Sequence, residues 1–151
     1  MKRCLCIGLL SLCAWFVASG TSRAAELSIA GGGFVTGSPS QTGGAVLLSS
    51  AASVPSLPVE VQGTLLVPIT SQGGYALTGE VRGLSGGGFG GAYVGAGVGF
   101  GTLSASRQTG PVLTVFVGKP IAPYTTIELR AYQSTRDDGT TAGFLGLRFT
   151  F

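Results

Sequence analysis

Beyond residue 25, apolar and polar side chains alternate with a period of two, and the charges inside these segments keep to the same alternation. Val59 and Val61 flank Glu60, Val81 sits between Glu80 and Arg82, Leu129 lies between Glu128 and Arg130, and Leu147 and Phe149 flank Arg148. In a strand, successive side chains point to opposite faces, so each such segment has one apolar face and one that carries ions. No stretch shows the 3.6-residue stripe of an amphipathic helix. Eight period-two segments are read at 26–36, 43–53, 57–68, 74–83, 90–102, 110–118, 124–134 and 141–151. Turn chemistry separates them, at Gly37-Ser38-Pro39-Ser40, Val54-Pro55, Ser71-Gln72-Gly73-Gly74, Ser85-Gly86-Gly87-Gly88, Lys119-Pro120 and Asp138-Gly139. The second segment has the least strand preference, being rich in Ala, Ser and Leu.

The first 24 residues differ in kind. Lys2 and Arg3 precede an uncharged, mostly apolar run from Leu5 to Ala18, and Ser22-Arg23-Ala24 places small residues at positions −3 and −1 of a cleavage site. This is the layout of a secretory signal peptide, with cleavage after Ala24 favoured over Ala25 or Gly20. The apolar run is short for a membrane-spanning helix of about 20 residues. Acylation at Cys13 is rejected, since Leu12 precedes it where a small residue belongs. Residues 25–151 then form one domain. Of nine basic residues, Lys2, Arg3 and Arg23 leave with the signal, so six remain against six acidic ones. A neutral chain lacks the basic patch that nucleic acid requires. Cys4, Cys6, Cys13 and Trp15 also leave, so no disulfide can staple the exported domain.

Alternation alone does not decide which face meets water. A soluble sandwich wets its charged face; an outer-membrane barrel turns apolar side chains toward lipid and polar ones inward. Three observations favour the barrel. Charged residues make up only 10% of the chain, where soluble domains have roughly 25%, and Lys119 is the single lysine beyond the signal. The strand charges balance, with Glu60, Glu80 and Glu128 against Arg82, Arg130 and Arg148, as a desolvated interior requires. Gly91, Gly95, Gly97, Gly99 and Gly101 bare one face of the fifth segment, leaving room in a narrow barrel for long chains from other strands. With strand n standing roughly across from strand n+4, Glu60 is expected toward Arg130, and Glu80 or Arg82 toward Glu128, Arg130 and Arg148. Tyr132 is the foremost interior aromatic.

The carboxyl end is more specific. Phe144-Leu145-Gly146-Leu147-Arg148-Phe149-Thr150-Phe151 puts Leu145, Leu147, Phe149 and Phe151 on one face and ends on an aromatic residue. It resembles the terminal strand of bacterial outer-membrane β-barrel proteins, and Tyr93-Val94-Gly95-Ala96-Gly97-Val98-Gly99-Phe100-Gly101 resembles their glycine/aromatic strands. The resemblance implies an all-β, eight-stranded antiparallel up-and-down transmembrane barrel whose last strand is read by the barrel-assembly machinery. It also implies aromatic girdles; without tryptophan, Tyr75, Phe89, Tyr93, Phe100, Tyr124, Tyr132, Phe149 and Phe151 are the residues to supply them. All connections look short, where the family often carries longer extracellular loops.

Other motifs dissolve on inspection. Gly86 to Gly91 fits G-x-G-x-x-G, and Gly83-Leu84-Ser85-Gly86-Gly87 fits G-x-S-x-G, but neither precedes a helix. The chain has no histidine, removing the usual general base and the commonest metal ligand. Asp137-Asp138-Gly139 reads as a hairpin turn and lacks the further ligands of a calcium loop. The expected protein is a monomeric barrel in a Gram-negative outer membrane with a plugged interior, not an open porin and not an enzyme, with no cofactor or metal. Its role is structural or interfacial, in membrane integrity or contact with lipopolysaccharide. The alternatives are a soluble periplasmic or secreted β-sandwich that binds a partner protein and, less favoured, a lipid-modifying barrel enzyme.

Overall fold

The computed structural model describes residues 26–37, 40–54, 57–71, 73–84, 91–103, 109–136 and 140–151. The proposed signal at 1–24, Phe89, the glycine-rich 85–90 and Asp137-Asp138-Gly139 lie outside them. Eight strands follow in chain order: β1 (Glu26–Gly37), β2 (Ser40–Ser53), β3 (Val59–Ile69), β4 (Tyr75–Leu84), β5 (Tyr93–Thr102), β6 (Gly110–Ala122), β7 (Thr125–Ser134) and β8 (Thr141–Thr150). Every strand pairs antiparallel with its sequence neighbours, and β1 pairs with β8 to close the barrel. The sandwich alternative is thereby set aside, for the sheet has no open edge.

The register fixes the shape. The row of directly paired residues Val59, Gly83, Val94, Val117, Leu129, Leu145, Gly33 and Gly44 runs once around the barrel. It returns to β3 at Ile69, ten residues beyond its start. With a rise of about 3.3 Å per residue and strands about 4.8 Å apart, that offset tilts eight strands by about 41°. A ten-residue strand at this tilt spans about 25 Å, the height of a lipid-facing apolar band.

Strand limits differ from the sequence reading where tertiary pairing overrides local preference. β2, the weakest by propensity, is the longest strand at 14 residues, held between β1 and β3 along its length. β6 runs through the Lys119-Pro120 break to Ala122, because a bulge between Pro120 and Ala122 absorbs the proline. β5 starts at Tyr93, three residues later than the pattern suggested.

Both faces are sharply sorted. Outward, Leu27, Ile29, Leu48, Val67, Val81, Val94, Val98, Phe100, Leu113, Val115 and Leu129 are all exposed, a continuous apolar belt. Inward, the side chains divide by height. Toward the end bearing Glu26 and Phe151 (the terminus end) lie the charged residues. Toward the other end Phe34, Ala45, Leu47, Leu66, Ala76, Leu103, Val112, Tyr132, Ala142 and Phe144 form a buried apolar cluster.

Candidate functional site

The ion-bearing positions Glu60 on β3, Glu80 and Arg82 on β4, Glu128 and Arg130 on β7 and Arg148 on β8 all project into the barrel, none more than 9% exposed. They fall into two sets. The deeper set is a closed ring. Arg130 donates Nη1–H to Glu80 at 2.6 Å and Nε–H to Glu128. Arg148 donates to Glu128 at 3.2 Å and to the Gln62 carbonyl oxygen at 3.3 Å. Gln62 donates its amide to Glu80 and so completes the circuit. Glu80 also accepts from Thr64 at 3.0 Å and Thr78 at 2.6 Å, and Glu128 from the Tyr93 hydroxyl at 2.5 Å. Each buried carboxylate thus faces more than one donor, as a charge removed from water requires.

The second set lies at the mouth. Arg82 bonds Glu60 and approaches Glu26 at 3.6 Å, with Glu26 half exposed. Glu60 does not reach Arg130. It stands directly opposite Arg82 in the β3–β4 register, and directly opposed residues lie about 5 Å apart, far closer than groups across the barrel. Glu80 does cross to Arg130, but Arg148 finds its carboxylate on the adjacent strand β7.

Aromatic rings fill the space between charges. Phe116 lies over Gly95, with the Arg130 guanidinium 4.2 Å from its ring centroid. Tyr93 passes over Gly118 to reach Glu128, while Arg82 sits 5.0 Å from its ring. The bare face of β5 therefore admits a ring from neighbouring β6 at Gly95 and the Glu80 chain from β4 at Gly97.

Two girdle assignments are corrected. Tyr93 and Tyr132 are 6% and 1% exposed and face inward, because each shares its strand face with interior positions two residues away, Gly95 and Arg130; Tyr132 takes the interior place also expected of it. Phe100, Phe149 and Phe151 face outward, exposed at 62%, 43% and 78%, and Tyr124 at 78% occupies the β6–β7 turn. Tyr75 begins β4 on the outward side, its hydroxyl 3.3 Å from that of Thr109. Leu145 and Leu147 also face outward. The terminal strand is held on both sides at its end, by Thr150 N–H to Tyr124 O at 2.9 Å and Phe151 N–H to Leu27 O at 2.8 Å. Sequence reasoning missed Gln62, Thr64, Thr78 and Tyr93 as members of the network; Gln62 lies two residues from Glu60, a spacing that places it on the same face.

Among the described residues no group of three or more His, Cys, Asp or Glu is placed to hold a metal ion.

No family model matches the sequence, and no curated protein does. Solved structures do. Neisserial surface protein A is similar to this chain at 13% identity and a TM-score of 0.69, over 87% of this chain and 100% of that one. The N-terminal β-barrel domain of Pseudomonas aeruginosa OprF is similar at 16% identity and a TM-score of 0.58, over 83% and 97%. With a closed sheet of eight antiparallel strands, ions within and an apolar belt without, the chain has the fold of the small outer-membrane β-barrels.

Proposed function

We propose that the protein is exported by a signal peptide cleaved after Ala24 and resides in a Gram-negative outer membrane as a barrel that conducts no solute. Its work is structural or interfacial, stabilising the membrane and contacting lipopolysaccharide, without catalysis. The observation that carries this reading is the division of the interior. The closed ring of Glu80, Arg130, Glu128, Arg148 and Gln62 pairs the deeper buried charges. The apolar cluster beyond it, interrupted by the buried side chains of Thr36, Thr102, Thr114 and Thr140 and the Tyr132 hydroxyl, fills the interior toward the other end. A belt of exposed Leu, Ile, Val and Phe is stable only against hydrocarbon, and closure satisfies the backbone there. Leu145, Leu147, Phe149 and Phe151 serve as the signal to the assembly machinery, and Tyr75, Phe100 and Tyr124 as interfacial anchors. In this orientation the terminus end faces the periplasm.

Heating supplies the first test. Unboiled outer-membrane fractions should show a detergent-requiring band whose mobility changes on boiling, and N-terminal sequencing of it should begin at Ala25. A soluble band without that shift would overturn the reading. In planar bilayers the folded protein should pass no steady ionic current; reproducible open-channel steps would overturn the non-conducting interior.

A further inference from the structure

Among the charged residues of the eight strands, Glu26, Glu60, Glu80, Arg82, Glu128, Arg130 and Arg148 point into the barrel or its mouth. Lys119 alone lies on the outward face. It is exposed on β6 with Val117 and Ile121 two residues to either side and Ile127 directly opposite on β7, themselves 40%, 57% and 41% exposed. None of the ion pairs among the described residues involves it. A cation set in the belt is costly near the bilayer midplane and nearly free at the interface. Lys119 stands three residues from the end of β6, roughly 7–8 Å from the terminus end along the barrel axis. A lysine stem covers that distance by lying along the apolar surface and lifting its ammonium to the headgroups.

We propose that Lys119 binds the phosphate of a phospholipid in the leaflet at the terminus end. The inference rests on the membrane reading above. Charge complementarity names the group, and the continuity of the site with the lipid-facing belt names its source. Tyr124, exposed in the turn that follows β6, marks the polar boundary at the same end, the level at which tyrosines concentrate in membrane proteins. The lysine then acts as a fixed point that sets the depth of the barrel from its periplasmic side.

The test compares the folded barrel in vesicles of phosphatidylglycerol with vesicles of an uncharged galactolipid of matched acyl length, with urea unfolding followed by the mobility of unboiled samples. The unfolding constant should be about fivefold lower in phosphatidylglycerol, the effect of one lysine at an anionic surface. Lys119→Gln should lose that preference and Lys119→Arg should keep it. A preference undiminished in Lys119→Gln would overturn the assignment. So would full stabilisation of the galactolipid sample by inorganic phosphate, which would mean a free ion, or a preference that grows with protein-to-lipid ratio, which would mean a second copy. Failure to yield any heat-modifiable band in either lipid would overturn the membrane reading itself, and the assignment with it.

Discussion

Arg148 touches two acceptors on two other strands, Glu128 and Gln62, and is 2% exposed. Replacing it with leucine leaves Glu128 with less compensation in a site that water does not reach. Arg148→Leu should lower stability by about 3–5 kcal/mol, read as a shift in the urea midpoint of the refolded barrel. Tyr132 makes the opposite case. Its ring is fully buried in the apolar cluster, while its hydroxyl has no hydrogen-bond partner among the described residues. Tyr132→Phe should leave the midpoint unchanged or raise stability by up to about 1 kcal/mol, since it removes an unsatisfied polar group and keeps the packing. That the six ions lie on one face was legible from alternation. Which ion meets which was not, because pairing depends on register, and a single pattern of alternation is compatible with several registers. Glu60 and Arg82 meet because the β3–β4 turn sets them opposite one another.

At the level of elements, β5 and β6 show how glycine shapes the interior through its neighbours. Gly118 on β6 is the floor over which Tyr93 crosses to Glu128, and a Cβ there would collide with the tyrosine ring. Gly118→Ala should cost about 1–3 kcal/mol by overpacking. The loss should be smaller in a Tyr93→Ala background, as urea midpoints of the four variants would show. β8 has a different vulnerability. Its last residues bond β1 on one side and the β6–β7 turn on the other, so the strand that ends the sequence also seals the barrel. Deleting Phe151 should reduce the folded, heat-modifiable fraction in cells; an undiminished fraction would count against its role in assembly. Strand number and type were readable because turn clusters punctuate the period-two pattern. The extent of β2 and β6 was not, since closure between two neighbours and a bulge at Pro120 are properties of the sheet and not of the segment.

For the molecule as a whole, eight strands offset by ten residues give an apolar band about 25 Å high. Folding into phosphatidylcholine vesicles of graded acyl length should therefore be most complete where the hydrocarbon is about 25 Å thick and fall away in thicker bilayers; a yield that rises monotonically with thickness would contradict the tilt derived from the register. The row that leaves β3 at Val59 and returns at Ile69 has a further consequence for how such a chain can change over time. The offset is one integer shared by all eight strands. Losing a single residue from within a strand would, unless a bulge absorbs it as at Pro120, turn the rest of that strand inside out, bringing ions to the outer face and leucines to the ring. Length can vary freely only in the connections, so this barrel is expected to diversify at its rims while its staves keep their count.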